Sequence, residues 1–226
     1  MTATPSNPPI EPTSGVSITT GIHHITALAK DPVENLRFYT QTLGLRLVKK
    51  TVNFDDPGSY HLYFGDRLGR PGTLMTFFPH PMATRGTPGR GEVSRTVLAV
   101  PAGTLAWWRE RLSTADLPAV RIAEAHGRLE FEDPHGTRLG LAERDAPSGE
   151  TPDGEAWATP FTDPWLSGPV PPERAVIAVD RAVLLVSDIA PSAAFLTEGL
   201  GWRRVPEDDA PTGERAIFEV GIGGVG

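Results

Sequence analysis

The segment HITALAKDPVENLRFYTQTLGLR, residues 24–46, decides the fold because its pattern occurs twice in the chain. Shifted by 157 residues, it aligns with RAVLLVSDIAPSAAFLTEGLGWR, residues 181–203. Each copy begins with a run rich in β-formers, continues with an aspartate at a helix N-cap position, and ends its apolar helical pattern at Leu-Gly. Self-similarity at a fixed spacing indicates a repeated structural unit. That unit begins with a strand and a helix.

The residues around the first copy predict one complete unit. Residues 22–29 form a strand, and Asp31-Pro32-Val33-Glu34 then supplies an N-cap, a first-turn proline and a glutamate three residues after the cap. Gly44 stands where a helix ends in the left-handed conformation. Three more strands are predicted at residues 45–54, 60–64 and 73–78. Residues 21–80 are therefore predicted to form a βαβββ module.

A second module is predicted between the two copies. Residues 93–100 begin a strand, residues 102–112 form a short helix, and residues 129–143 form a hairpin. The predicted fold is α+β, built from tandem βαβββ modules, and its predicted divisions follow in chain order. They are a flexible tail over residues 1–20, a first domain over 21–143 (modules 21–80 and 93–143), a Pro- and Gly-rich linker over 144–178, and a partial second domain over 179–226.

The third βαβββ pattern breaks off near Gly226 after a strand, a helix and one or two more strand candidates. An unfinished sheet leaves an edge and apolar surface uncovered. We therefore expect the chain to be shorter than the architecture it encodes, or a partner chain to complete it. A homo-oligomer is one such arrangement.

The composition limits the kinds of partner that the chain is expected to bind. A formal net charge of −7 disfavours nucleic-acid binding, because a phosphate backbone is held by a basic surface. No apolar run approaches the ~20 residues needed to cross a bilayer, and residues 1–20 lack the features of a secretory signal. We therefore expect a cytoplasmic protein that does not bind membranes. The chain has no cysteine, so a metal would be held by histidine and carboxylate side chains.

Two adjacent histidines, His23 and His24, lie in the apolar stretch GIHHIT, residues 21–26. Histidine is a common metal ligand and also a common residue of half-buried strands, so the pair by itself does not separate the two roles. His61, in YHLYF, alternates with apolar neighbours on an ordinary strand. We interpret His61 as structural.

Several motifs in this order resemble those of ring-cleaving extradiol dioxygenases of the glyoxalase, or vicinal-oxygen-chelate, superfamily, and the hydroquinone-cleaving type in particular. The motifs are GIHHIT, FYTQTLGLRLVKKTVNFDDP, YHLYFGD, RPGTLMTFFP and LAWWRERL. The resemblance runs from about Gly21 to the end of the chain. It implies curved sheets of paired βαβββ modules and a divalent metal, Fe(II) or alternatively Mn(II), held by two histidines and one glutamate. Open positions of such a site accept O₂ and an oxygen of an aromatic substrate.

The resemblance also implies roles for individual residues. His24 corresponds to the first metal ligand, and His23 and Thr26 correspond to substrate-proximal positions. Thr26 shares a strand face with His24 because strand side chains repeat every two residues, and His23 then points to the opposite face unless the strand bulges. We expect the family's second histidine and its glutamate to lie beyond Gly226.

Two positions that could replace those ligands carry other residues. Gly140 stands where many superfamily members place a ligating glutamate, and Arg181 is equivalent to His24 in the repeat. Neither supplies a metal ligand.

Three functions are compatible with this pattern. The leading hypothesis is Fe(II)-dependent opening of a hydroquinone- or catechol-like ring with O₂. The second is a truncated, non-catalytic glyoxalase-fold module that binds a ligand or dimerises, since two of the three expected ligands are missing. The third is a lactoylglutathione-lyase-like isomerase, a reaction that the superfamily also contains.

Overall fold

The fold is seen in a computed structural model of the chain, which describes residues 21–115, 123–125, 127–145, 163–205 and 215–220. The fold is α+β with modular βαβββ units, as predicted. The strands are β1 His24–Ala29, β2 Arg46–Val52, β3 Tyr60–Gly65, β4 Leu74–Pro79, β5 Glu92–Pro101, β6 Ala123–Ala125, β7 Arg128–Glu132, β8 Arg138–Arg144, β9 Ala178–Leu185, β10 Arg203–Val205 and β11 Ile217–Glu219. The helices are α1 Pro32–Arg37, α2 Leu105–Thr114 and α3 Ile189–Ala194.

Short helical turns extend these elements. Helices α1 and α3 each continue into a π-helical turn, Phe38–Thr42 and Phe195–Gly199, and a 3₁₀ turn covers Pro172–Arg174.

Among the described residues, no helix has the length and apolar character needed to cross a membrane. The predicted tail, residues 1–20, lies outside the described residues.

The internal repeat is a structural repeat. Asp31 caps α1 by accepting hydrogen bonds from two backbone N–H groups, and Asp188 caps α3 in the same way through one. After each helix a glycine takes the left-handed conformation, with φ of +72° at Gly44 and +70° at Gly201. A side chain at either glycine would meet the steric penalty of that region. The sequence prediction of the cap, the helix and the glycine stop is confirmed in both copies.

The first sheet contains the strands of the first module in the order β1-β4-β3-β2. β4 is parallel to β1, and β3 is antiparallel to both β4 and β2. Because strand side chains alternate between faces, one face of this sheet is apolar and packs on the first helix. Buried side chains of that face include Leu62, Phe64, Met75 and Phe77. The opposite face carries polar side chains.

The second sheet has the order β6-β7-β8-β5-β9. Its last strand, β9, follows the predicted linker and runs antiparallel to β5, from Glu92 opposite Leu185 to Ala99 opposite Ala178. First strands of two successive modules therefore lie side by side. The predicted domain boundaries stay a prediction. The pairing of β5 with β9 is a contact between the two predicted domains, and local sequence patterns did not predict it.

Both sheets share one core. Residues of the first helix, the strands of both sheets and the segment before β9 belong to a single apolar cluster that includes Tyr39, Phe64, Leu98, Trp108, Leu141 and Val170. The indole N–H of Trp108 donates to the carbonyl of Arg174 at 3.0 Å. The described end of the predicted linker is therefore packed against the second module.

Candidate functional site

The face of the first sheet that points away from the core carries a row of polar side chains. The strand register places Thr26 of β1, Thr76 of β4, Tyr63 of β3 and Lys49 of β2 directly opposite one another. Directly opposed residues lie on the same face, as do residues two positions apart on one strand. We call this surface the histidine face and define it by His24, Thr26, Lys49, His61, Tyr63, Thr76 and Phe78.

The two histidines of GIHHIT are in contact. Nδ1 of His23 lies 3.0 Å from Nδ1 of His24, and their rings meet edge to face with 5.1 Å between centroids. The expectation that His23 points away from His24 is wrong, because β1 begins only at His24. His23 precedes the strand and is free of its alternation, so its ring can turn towards the next residue.

The geometry at His24 suits a metal ligand. Burial lowers the pKa of His24 below 6.5, and the neighbouring His23 lowers that pKa further. The neutral imidazole is the form that coordinates a metal. Since His23 engages Nδ1, Nε2 is the nitrogen of His24 available to a metal, and ligand histidines usually make a hydrogen bond through their other ring nitrogen. The ligand role itself stays a prediction.

His61 is the centre of a hydrogen-bonded row that the sequence analysis did not foresee. Its Nε2 lies 3.0 Å from Oγ1 of Thr76, and its Nδ1 lies 2.8 Å from the hydroxyl of Tyr63. Oγ1 of Thr76 lies in turn 2.9 Å from Oγ1 of Thr26. The His61 ring also packs against the rings of Tyr63 and Phe78 in tilted contacts, with centroid distances of 4.1 and 4.0 Å. Its position and orientation are therefore fixed.

The surroundings of His61 favour its neutral form. Burial lowers its pKa below 6.5, and the charges of His24 and Lys49 lower that pKa further. The Lys49 ammonium group lies 5.2 Å from the centroid of the Tyr63 ring, within the range of a cation–π contact. His61 is therefore neutral near pH 7, with one ring nitrogen protonated and the other an acceptor.

The positions that could have replaced the missing ligands do not form a metal site. A Cβ atom at Gly140 would lie 3.3 Å from Cγ2 of Val97, so this position is packed. Arg181 donates from Nε to Oδ2 of Asp180 at 2.7 Å. In the part of the chain that the structure describes, no group of three His, Cys, Asp or Glu side chains could hold a metal ion.

A sequence signal for the row around His61 exists, although it is weak. His61 and Tyr63 alternate on β3, and Thr76 and Phe78 alternate on β4, which puts polar and aromatic side chains on one face of each strand. Alternation shows that each pair shares a face. It does not show which residues of the two strands are opposite, because register depends on the pairing of the strands.

Comparison with protein families gives one match that covers most of the chain. The model of the Glyoxalase/Bleomycin resistance protein/Dioxygenase superfamily matches residues 21–159. Among individual proteins, MhqE of Bacillus subtilis, provisionally named a ring-cleaving dioxygenase, is 41% identical over 92% of this chain and 64% of its own length. Chlorohydroquinone/hydroquinone 1,2-dioxygenase of Sphingobium indicum is 38% identical over 69% of this chain and 46% of its own length.

A solved structure agrees with these matches. The crystal structure of a provisionally named dioxygenase from Bacillus subtilis superposes with a TM-score of 0.77 and 39% sequence identity. The match covers 91% of this chain and 61% of that protein. The chain therefore spans less than two thirds of the length of each of these three proteins.

Proposed function

Because this chain belongs to the Glyoxalase/Bleomycin resistance protein/Dioxygenase superfamily, we propose that it serves the extradiol-type opening of a hydroquinone- or catechol-like ring with O₂. The observation that carries the proposal is the histidine face. On this face a neutral imidazole, His24, stands beside a row of hydroxyl groups that can bind the oxygens of such a ring. The names of the relatives support the same reaction class.

The metal in this proposal is Fe(II), with Mn(II) as the alternative. A site of two histidines and one carboxylate leaves open positions for O₂ and a substrate oxygen, and the bound metal supplies the activation of O₂. His24 fits one of the three positions. The described residues do not make up the set, so the other two ligands would come from residues outside them or from a partner chain.

The residues of the histidine face have a binding role in this proposal. Thr26 and Tyr63 offer hydroxyl groups at the two ends of the hydrogen-bonded row, and Phe78 presents an aromatic surface next to it. A flat ring can pack on such a surface while its oxygens make hydrogen bonds. His23 orients His24 through the contact between their Nδ1 atoms.

Oxygen uptake and metal content together test this function. The purified chain would be reconstituted anaerobically with Fe(II) and assayed with a panel of ortho- and para-dihydroxybenzenes. We expect His24→Ala to lose both bound iron and oxygen uptake, because one of three ligands is removed. His80→Ala, a histidine in the turn after β4, serves as the matched control and should retain both. Full iron content and turnover in His24→Ala would refute the proposal.

One observation favours a second candidate function. The described residues hold no complete set of metal ligands, and a non-catalytic binding or dimerising module would not need one. Metal analysis of the purified chain separates the two candidates, because stoichiometric iron or manganese contradicts the non-catalytic one unless a partner chain supplies ligands. Sedimentation velocity of the same sample measures whether the chain forms a homo-oligomer. The isomerase alternative has no observation in its favour.

A further inference from the structure

Thr26, Thr76, His61 and Tyr63 form a continuous chain of three hydrogen bonds across three strands. The contacts run from Thr26 to Thr76 at 2.9 Å, from Thr76 to Nε2 of His61 at 3.0 Å, and from Nδ1 of His61 to Tyr63 at 2.8 Å. Thr76, in the middle, is fully buried. Thr26 at one end is exposed, and His61 and Tyr63 are half-buried. Both ring nitrogens of His61 are engaged inside the chain, so hydrogen bonds to a ligand are left to the hydroxyl groups at the two ends.

The number of protons in this chain restricts what its ends can do. Each of the three hydroxyl groups carries one proton, and a neutral imidazole carries one on either ring nitrogen. These four protons serve three internal hydrogen bonds, so one donor is left over. When Nε2 of His61 carries the proton, the spare donor lies at Thr26. When Nδ1 carries it, the spare donor lies at Tyr63.

We propose that these four residues act as a directional relay that recognises two oxygen atoms of one ring ligand by hydrogen bonding to both, and that His61 is its positioning residue. The relay offers a donor at one end and only an acceptor at the other, and the His61 tautomer decides which end is which. No change in protonation state is involved. The identity of the ligand as an oxygen-substituted ring rests on the proposed function.

The distance between the ends favours oxygens on opposite sides of a ring. Thr26 lies on β1 and Tyr63 on β3, with β4 between them. Neighbouring strands are ~4.8 Å apart, so the two backbones are separated by about 10 Å. Two side chains reaching inwards from that separation can bracket a ring whose oxygens are para to each other. Adjacent oxygens, as in catechol, lie closer together than para oxygens and match this separation less well.

The fixed setting of His61 makes it the element that couples the two ends. Its ring packs against both Tyr63 and Phe78, so it cannot turn to release either nitrogen without losing aromatic contacts. His61→Phe keeps a ring in that place and removes both nitrogens. The Tyr63 hydroxyl and the Thr26–Thr76 pair would then orient independently, and both ends could donate at once.

Binding of two matched probes to the full 226-residue chain tests the relay without metal or O₂. 4-Methoxyphenol has one hydroxyl donor and one ether acceptor, which match the two ends. 1,4-Dimethoxybenzene has the same para arrangement of oxygens, one more methyl group and only acceptors, so one end of the relay must remain unmatched. NMR titration would give a dissociation constant for each probe with the wild type and with His61→Phe. Thr51→Val provides the control, because Thr51 lies opposite His61 on β2 and outside the relay.

We expect the wild type to bind 4-methoxyphenol about ten-fold more tightly than 1,4-dimethoxybenzene, the effect of one unmade hydrogen bond. The ratio should fall close to one in His61→Phe and stay unchanged in Thr51→Val. A role of His61 in stability alone would not alter this ratio in folded protein.

Three outcomes would overturn the relay. They are equal binding of both probes by the wild type, retained discrimination in His61→Phe, and no binding of either probe. The relay and the proposed function can fail separately. Discrimination without oxygen uptake would contradict only the dioxygenase proposal, whereas oxygen uptake without discrimination would contradict only the relay.

Discussion

Replacing Tyr39 by phenylalanine tests how the two modules are joined. Tyr39 is fully buried, and its hydroxyl donates to Oδ2 of Asp133, in the turn between β7 and β8, at 3.2 Å. The change removes this hydroxyl and leaves the ring in contact with Phe77, 4.4 Å away between centroids. The substitution therefore isolates a single hydrogen bond between the first helix and the second module.

The expected loss in the free energy of unfolding is about 1.5–2 kcal/mol at pH 7. A hydrogen bond to a charged group contributes about 1.5–3 kcal/mol, and this one is longer than a usual O–H···O contact, which favours the lower end of that range. Oδ1 of Asp133 keeps its own donors, the backbone N–H groups of His135 and Thr137 at 2.9 and 2.7 Å. The carboxyl group is thus left with one unpaired oxygen.

The loss should depend on pH. Burial raises the pKa of Asp133 above 3.8, and hydrogen bonds from Thr137 and the charge of His135 oppose this shift. Because the folded-state pKa is raised, the stability that this carboxyl contributes is fully present below pH 3.8 and is lost as the pH rises through the folded pKa. The Tyr39 hydroxyl offsets part of that loss by stabilising the carboxylate. The effect of Tyr39→Phe should therefore be smaller at acid pH than at pH 7.

Urea unfolding followed by tryptophan fluorescence measures this change, and the slope of free energy against urea should stay constant. Tyr60→Phe is the matched control, because Tyr60 is 45% exposed and its loss of a hydroxyl should alter stability by less than about 0.5 kcal/mol. A Tyr39→Phe effect as small as that of Tyr60→Phe, or one equal at acid and neutral pH, would refute the reasoning.

Two further predictions concern the backbone and the electrostatics of the site. Gly44→Ala should reduce the free energy of unfolding by about 3 kcal/mol, since it adds left-handed strain to a Cβ only 2.5 Å from Cγ2 of Val170. Gly103→Ala has the same strain with open space around it and should cost only about 1 kcal/mol; equal urea midpoints for the two variants would contradict the close packing of Val170. Lys49→Met should raise the pKa of His61 towards 6.5, because a like charge is removed. NMR titration of the imidazole checks the direction, and an unchanged or lower midpoint would contradict it.

The pKa of His61 also has a consequence for stability. Its folded-state value lies below 6.5, so the stability that a neutral His61 contributes is present above pH 6.5 and is lost as the pH falls through the folded value. Lys49→Met should therefore reduce the loss of stability on mild acidification.

Local features were predictable from the sequence because each depends on residues close together in the chain. The Asp31 cap needs only N–H groups two and three residues away, and Gly44 ends its helix through its own backbone conformation. The repeat then carried the same prediction to Asp188 and Gly201. His24 could be singled out because GIHHIT is a short, continuous motif within a family pattern.

Contacts between distant residues were not predictable in this way. The Tyr39–Asp133 bond joins residues 94 apart, and the pairing of β9 with β5 joins different modules. His61 was assigned no part in the site, although its two hydrogen bonds and two ring contacts put it at the centre of the histidine face. Alternation fixes the face that a strand residue occupies, whereas only strand register fixes its neighbours.

The sequence by itself determined the modular βαβββ fold, the superfamily and the candidate ligand His24, since caps, glycine stops and short motifs are local properties of the chain. The tertiary structure decided that Thr26, Thr76, His61 and Tyr63 form one hydrogen-bonded row. It also decided that His23 contacts His24, and that the first strands of the second and third modules pair. These arrangements follow from how separate strands pack and pair, and the free energy of that packing is a property of the whole fold.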